Sequence, residues 1–329
     1  RGCICNPAWQ GQLCVHGARR SLQAAAPARV APVRGMPLRF DGQAAVVTGA
    51  GRGLGREYAL LLARRGAKVV VNNRTAEKAD EVVAEIQRAG GVAVADYSNV
   101  ATEGEKAVEL CVQKFGRVDM LISNAGQLAD RTLKKMTVED FQDVLATHAI
   151  GGFRVMKAAW PYMSEQKYGR LVFVGSVAAF YGGFGQGNYA AAKGALMGLN
   201  GICAVEGFKS NILSNLICTE GITRMTEKLV PKEHHAALKA EYAANAVLVL
   251  CHESCPSTGA MYQTEGGTVR QLRLQVSSGL KYDPSEEGLD HVAANWERMP
   301  LAARQDIETP NNKPARAGTG AVAEVNWRK

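Results

Sequence analysis

Short apolar runs alternate with longer amphipathic stretches along most of the chain. Each run is about the length of a strand and is followed by polar or glycine-rich residues, as is typical of strands buried on both faces. The predicted strands are residues 43–48, 66–72, 92–95, 118–123, 169–176 and 257–265. One helix is predicted from the first glycine turn to Arg65. Further helices are predicted over 76–88, 102–115, 141–163 and the alanine-rich run after residue 187. This alternation predicts an α/β fold with a doubly wound, Rossmann-like parallel sheet.

The same pattern divides the chain into one domain and two flanking parts. Residues 38–269 hold the alternating elements, while residues 1–37 contain five arginines and no acid. We interpret 1–37 as a disordered head or transit segment, or as upstream translation ahead of Met36. We interpret 270–329 as a C-terminal extension, first helical, with Asp283 as cap and an end near residue 299, and then disordered.

The composition limits the kinds of partner and ligand expected for this protein. The chain has 329 residues and a formal net charge of +8, but the basic residues form no stripe of the kind that binds nucleic acid. No apolar run reaches about 18 residues, so we expect no membrane span. Cys251 and Cys255 have no second pair at zinc-ligand spacing, so we expect no metal site. A small-molecule substrate fits this composition best.

A glycine-rich turn between the first strand and the first helix predicts a dinucleotide site. Glycines let the backbone approach a pyrophosphate, and the helix N-terminus that follows favours its negative charge. The candidate cofactor residues in this turn are Thr48, Gly49, Arg52, Gly53, Leu54 and Gly55. Asn124, Ala125 and Gly126 close the fourth strand, where small residues can lie against a nicotinamide ribose.

A second candidate site lies near residue 189. Tyr189 and Lys193 are four residues apart in a predicted helix and so share one face. An ammonium beside a phenol is expected to lower the pKa of the phenol, which would make Tyr189 a proton donor or acceptor near neutral pH. Ser176 ends the preceding predicted strand, where its hydroxyl can hold a substrate oxygen.

These motifs, in this order, resemble those of the short-chain dehydrogenase/reductase family. The resemblance implies hydride transfer with NAD or NADP, a homodimer, and catalysis by Ser176, Tyr189 and Lys193. Tyr189 would move a proton, Lys193 would also hold the nicotinamide ribose, and Ser176 would orient the substrate oxygen.

Residues 184–189, 206–212 and 250–255 are similar to the branch that oxidises (3R)-hydroxyacyl-CoA and some 17β-hydroxysteroids. The substrate expected from this similarity is therefore a 3-hydroxyacyl-CoA, with a steroid or a 3-ketoacyl group as alternatives. The same similarity implies a peroxisomal location, although the last residues are not a Ser-Lys-Leu type signal. A mitochondrial or plastid location follows instead if the basic head is a transit segment.

Three departures from the family pattern alter these expectations. His148 stands where the family carries an asparagine that seats a relay water, so we predict that His148 takes that role. Asn73 replaces the carboxylate expected at the ribose 2′-hydroxyl, and Arg74 follows it, which leaves the choice between NAD and NADP open. Glu220 stands near the expected nicotinamide site, so a cofactor-binding scaffold with little turnover is an alternative function.

Overall fold

The computed structural model describes residues 37–221, 235, 238–255, 257–274 and 279–296. These residues form one sheet of eight strands with helices on both faces. The strands are β1 Ala44–Val47, β2 Lys68–Asn72, β3 Val92–Asp96, β4 Met120–Ser123, β5 Gly169–Gly175, β6 Ile212–Thr219, β7 Met261–Glu265 and β8 Thr268–Leu272. The helices are α1 Gly53–Arg64, α2 Ala76–Arg88, α3 Val100–Glu103, α4 Glu105–Phe115, α5 Val138–Leu145, α6 Gly151–Gln166, α7 Ala178–Tyr181, α8 Gly187–Gly207, α9 Ala240–Cys251 and α10 Glu286–Asn295.

The strand order brings the two predicted cofactor segments together. The order is β3-β2-β1-β4-β5-β6-β7-β8, and the first seven strands run parallel. The direction of winding reverses between β1 and β4, whose residues Val47 and Ile122 are paired. Ligands of such sheets bind in the crevice beyond the carboxyl ends of the strands at this reversal. The doubly wound α/β fold predicted from the sequence is therefore confirmed.

The core consists of two apolar layers, one on each face of the sheet. In β1, Ala45 and Val47 face the layer that contains α1, α2 and α9, whereas Ala44 and Val46 face the layer that contains α4, α6 and α8. All four side chains are fully buried. Burial on both faces explains why this strand reads as a continuous apolar run rather than an alternating one.

The helix predicted over residues 141–163 is interrupted. α5 ends at Leu145, a π-helical turn covers Ala146–Ile150, and α6 begins at Gly151. Pro161 lies inside α6, one turn before its end. Sequence periodicity does not distinguish a π turn from an α turn, because the extra residue shifts the side chains by only part of a turn.

The C-terminal part differs from the prediction in two places. β8 pairs antiparallel with β7 and extends the sheet across the predicted domain boundary after residue 269. The helix predicted from Asp283 begins instead at Glu286, with Ser285 as its cap: the Ser285 hydroxyl accepts from the Gly288 amide. Asp283 accepts from the Ser285 amide at 2.9 Å and so stabilises the turn before the helix.

Several predictions concern residues that the structure does not describe. They are the head up to residue 36, the end of the last helix near residue 299, and the tail beyond it. Among the described helices, none combines the length and apolar character that crossing a membrane requires.

Candidate active site

The glycine turn after β1 is bonded directly to the turn after β4. The Thr48 hydroxyl accepts hydrogen bonds from the amides of Asn124 and Ala125, at 2.9 and 3.0 Å. The Asn124 side chain in turn donates to the carbonyls of Thr48 and Gly49. These bonds cross between neighbouring strands, so the two predicted cofactor segments form one unit at the winding reversal.

The glycines of this turn are required by its close contact with the turn after β4. A methyl group on Gly49 would come within 2.8 Å of the Ala125 backbone, and one on Gly55 within 2.5 Å of the Asn124 amide. Gly49 and Gly53 also have positive φ angles, of 64° and 55°. Arg52 is the residue before α1, and its side chain does not cap the helix. The first backbone amides of α1 therefore receive no hydrogen-bond acceptor from Arg52. The turn therefore fits a dinucleotide pyrophosphate held by backbone amides.

Asn72 holds the glycine turn in place, a role that sequence reasoning missed. It is the last residue of β2, and its buried side-chain carbonyl accepts from the Gly49 amide at 3.3 Å. Its amide donates to Asp96 and to the Ser98 carbonyl, at 2.6 and 3.0 Å. Asn72 thus fixes the glycine turn to the end of β3. The sequence feature that could have indicated this role is a polar residue at the end of an apolar strand.

Ser176, Tyr189 and Lys193 lie together, as predicted. Ser176 follows β5, lies close enough to Tyr189 for its hydroxyl to favour the phenolate, and accepts from the Ala178 amide at 3.2 Å. Tyr189 and Lys193 project from α8, with the Lys193 Nζ 5.4 Å from the centre of the Tyr189 ring. The Lys193 ammonium donates to the Val174 carbonyl at 2.6 Å.

Asn188 holds this cluster in place and was also missed. Its buried side-chain amide donates to the carbonyls of Ala129 and Asp140, while its carbonyl accepts from the Tyr189 amide at 2.8 Å. These bonds attach the start of α8 to the loop after β4 and to α5. The orientation of Tyr189 therefore depends on an asparagine whose role only its tertiary contacts reveal.

The predicted direction of the Tyr189 pKa shift is wrong. Burial raises the pKa of Tyr189 to about 12, and the nearby Ser176 hydroxyl offsets only part of that effect. Burial also lowers the pKa of Lys193 to about 8. Both shifts share one cause, because a low-dielectric surrounding disfavours the charged form of each group.

His148 lies in the π-helical turn and contacts Tyr189. The two rings meet edge to face, with centroids 5.3 Å apart. His148 Nε2 bonds to Gln127, either donating to the carbonyl at 2.9 Å or accepting from the amide at 3.1 Å. His148 Nδ1 is buried and has no hydrogen-bond partner among the described residues. Burial, followed by the positive charge of Lys193, lowers the pKa of His148 to about 3, so the ring is neutral.

Glu220 follows β6 and is hydrogen-bonded to a neutral side chain: its carboxylate accepts from the Gln263 amide at 3.0 Å. Burial raises the pKa of Glu220 to about 7, and the charge of Glu265 adds to the effect.

The remaining predicted residues lie around the glycine turn. Leu54 is in the first turn of α1, where a methyl group on Gly221 would come within 3.0 Å of it. Asn73 follows β2 and lies against the turn, since a methyl group on Gly51 would come within 2.7 Å of its side chain. Arg52 and Arg74 are exposed. The structure thus has a glycine-turn end and a Tyr189 end, and Gly126 and Gln127, which contact His148, connect the two.

This arrangement is that of a dinucleotide-dependent oxidoreductase, and the family comparison agrees. Residues 43–234 match the short chain dehydrogenase family. The chain belongs to this family, whose members are NAD(P)-dependent oxidoreductases acting on hydroxyl and keto groups.

Three relatives illustrate the range of similarity. The peroxisomal multifunctional enzyme type 2 of Drosophila melanogaster is 46% identical over 274 residues, which are 80% of this chain and 46% of that enzyme. The structure of that full-length enzyme matches with a TM-score of 0.69 at 42% identity, again over 80% of this chain and 46% of that one. The 3-oxoacyl-[acyl-carrier-protein] reductase FabG of Thermotoga maritima is 36% identical over 70% of this chain and its own full length.

The third is a 7α-hydroxysteroid dehydrogenase, solved with NADH and 7-oxo glycochenodeoxycholic acid. It matches with a TM-score of 0.65 at 28% identity, over 70% of this chain and 95% of that one. The chain therefore spans less than half the length of its multifunctional relative but nearly all of the two single-activity ones.

Proposed function

We propose that this chain transfers a hydride between NAD(P) and the hydroxyl or keto carbon of a 3-hydroxyacyl thioester. The single observation that carries the proposal is the cluster of Ser176, Tyr189 and the buried Lys193, which connects to the turn after β4 through His148. When bound, the nicotinamide supplies or accepts the hydride. The protein groups supply the proton and orient the oxygen.

The protonation states assign the steps. A Tyr189 phenol with a pKa of about 12 is protonated at neutral pH, so it can donate a proton to the substrate oxygen as a keto group is reduced. The Ser176 hydroxyl, which lies near the phenol, orients the same oxygen and stabilises its developing charge. In the oxidation direction Tyr189 must accept a proton, and the nearby Lys193 charge makes the resulting phenolate less costly.

His148 completes the proposed catalytic set. Its neutral ring has an unpartnered buried nitrogen, Nδ1, and lies edge-on to Tyr189. A buried polar atom of this kind is where an ordered water binds, so His148 fits the role of the asparagine that seats the relay water. The experiment is to compare the pH profile of turnover for the parent and His148→Ala. An unchanged profile would reject the relay role.

The rim of the site supports an acyl-CoA over a steroid. Phe184 and Leu133 are 87% and 80% exposed, and Leu133 lies over Gly187, two residues before Tyr189. Lys134 and Lys135 are exposed in the same turn as Leu133 and have no ion pair within the described residues. An apolar surface beside two free ammonium groups suits a ligand with an acyl chain and phosphate groups. A neutral steroid carries no negative charge that the two lysines could bind.

The test is turnover of a 3-hydroxyacyl-CoA and of a 17β-hydroxysteroid, followed by absorbance of the reduced nicotinamide. Tyr189→Phe removes one hydroxyl and is expected to lower turnover by at least about 10²-fold. Its cofactor affinity should stay unchanged. Cofactor binding by the parent without turnover of any alcohol or ketone would favour the scaffold alternative. Faster turnover of the steroid would favour the hydroxysteroid alternative.

A homodimer is the proposed assembly, with α6 and α8 as its interface. These two helices expose large apolar side chains: Phe153 and Tyr162 on α6, and Ile202 and Val205 on α8. Val205 is 74% exposed, so Val205→Glu should leave the fold intact and lower the mass measured by light scattering to that of a monomer. A monomeric parent chain would refute this assembly.

Peroxisomal residence is proposed from the Drosophila relative, whose name places that enzyme in peroxisomes. Imaging of the tagged chain alongside markers for peroxisomes, mitochondria and plastids tests it. Accumulation in mitochondria or plastids, lost when residues 1–37 are removed, would support the transit-segment alternative.

A further inference from the structure

The adenosine end of the cofactor crevice lacks the carboxylate that selects NAD. In NAD-binding turns, an acidic residue about 20 positions beyond the glycines accepts a hydrogen bond from the ribose 2′-hydroxyl. Here that position is Asn73, which directly follows β2. Its side chain contacts Gly51 in the glycine turn and donates to the Thr75 carbonyl at 3.0 Å. An uncharged amide therefore occupies the ribose position.

The nearest buried acid is directed away from this position. Asp96, at the end of β3, is 8% exposed. Its Oδ2 accepts from the Asn72 amide and from the Ser98 hydroxyl, both at 2.6 Å. These two bonds hold the carboxylate within the sheet, so it does not replace the missing acid.

Two arginines beside the turn have no acidic partner. Arg52 and Arg74 are exposed, and neither forms an ion pair or a side-chain hydrogen bond within the described residues. The other cations near this end are engaged. Arg56 pairs with Glu57 and with Glu85, the latter at 2.6 Å, and Lys78 pairs with Glu81 at 2.7 Å.

The acids on the neighbouring helix α2 form no ion pair with either arginine among the described residues. Glu81 pairs with Lys78, and Asp80 accepts from the neutral Tyr97 hydroxyl at 2.7 Å. Glu77, in the first turn of α2, has no ion pair within the described residues. The two exposed guanidinium groups are therefore not held by these carboxylates.

We infer that this chain selects NADP(H) over NAD(H), with Arg52 and Arg74 binding the ribose 2′-phosphate. The inference rests on the proposed dehydrogenase function and names its cofactor. Guanidinium groups bind phosphate oxygens through charge-assisted hydrogen bonds. The replacement of a carboxylate by Asn73 removes the repulsion that would exclude the phosphate.

The experiment is an equilibrium fluorescence titration of the full chain with NADPH and with NADH, without substrate. NADPH is expected to bind at least about tenfold more tightly, which corresponds to about 1.4 kcal/mol. Added salt should weaken NADPH binding more than NADH binding, because the contacts are exposed charge pairs.

Three variants test which residues cause the preference for NADPH. Arg52→Gln/Arg74→Gln should weaken NADPH binding at least about tenfold and change NADH binding by less than about twofold. Asn73→Asp should reverse the preference. Arg64→Gln is the matched control, because Arg64 is also exposed but lies at the far end of α1, and it should change neither affinity.

NADH binding that equals or exceeds NADPH binding overturns the inference, as does binding of neither cofactor. An equal loss in the Arg64 control overturns it too, because the effect would then come from overall charge. The result is separable from the proposed function. A preference for NADPH without turnover of any acyl thioester would reject the function alone, whereas turnover with tighter NADH binding would reject the cofactor choice alone.

Discussion

Gly126 provides the space in which the His148 ring packs, so Gly126→Ala tests the geometry of the site. A methyl group at Gly126 would come within 2.3 Å of His148 Cε1 and 3.0 Å of its Nδ1. Ordinary van der Waals contact begins at 3.4 Å, so the ring would have to move by about 1.1 Å, the difference between 3.4 and 2.3. Gly126 does not have a positive φ angle, so backbone strain does not contribute.

The displacement has two costs. Overpacking of a buried site costs about 1–3 kcal/mol, and the loss of the bond between His148 and Gln127 adds about 0.5–1.5 kcal/mol. We expect Gly126→Ala to lower the free energy of unfolding by roughly 2–3 kcal/mol. Because the Tyr189 ring rests edge-on against His148, a shift of about 1 Å should also lower turnover by about 10²-fold.

Urea unfolding and a double-mutant cycle with His148→Ala measure these effects. The double variant has no ring to displace, so the two substitutions should be non-additive by more than about 1 kcal/mol. Gly198→Ala is the matched control: its methyl group meets no described atom within 4 Å, and it should stabilise α8 by up to about 1 kcal/mol. Additive substitutions, or a Gly126→Ala variant as stable as the parent, would refute the packing argument.

Two further predictions concern stability and pH. Burial lowers the pKa of Lys193 to about 8, so below pH 8 the folded parent carries the cost of a buried charge, and its stability rises between pH 8 and the unfolded pKa near 10.5. Lys193→Met should therefore be more stable than the parent by roughly 3 kcal/mol at pH 7, measured by urea unfolding. Equal or lower stability of the variant would contradict this. Burial raises the pKa of Glu220 to about 7, so the parent loses stability as pH rises from 4.5 through 7. Glu220→Gln should lack most of that loss and be more stable than the parent at pH 8 by up to about 3 kcal/mol. Parallel plots of stability against pH for the parent and the variant would contradict this.

Much of the site was accessible from sequence because its motifs are local. The glycine turn adjoins an apolar strand, and the spacing between Tyr189 and Lys193 places both side chains on one helical face. The alternation of strands and helices also predicts a doubly wound parallel sheet, because connections between parallel strands have one preferred hand. No distant contact is needed for any of these inferences.

The cross-links escaped prediction for the opposite reason. Asn72 connects β2 to the glycine turn and to β3, and Asn188 connects α8 to two segments at least 48 positions earlier in the chain. An asparagine near a turn has many ordinary local roles, so its type and neighbours do not reveal such partners. The strand β8 was missed because its alternating residues are mostly exposed and only its pairing with β7 defines it.

The sequence by itself determined the order of strands and helices, the position of the glycine turn and the presence of Tyr189 and Lys193 on one face. The tertiary structure alone decided the charge states of those two side chains and the environment of His148. Spacing along a helix gives the direction of a side chain, but a pKa depends on how much water and which dipoles surround it. Those surroundings come from β5, from the π-helical turn and from the loop after β4, which are distant in sequence and meet only in the folded protein.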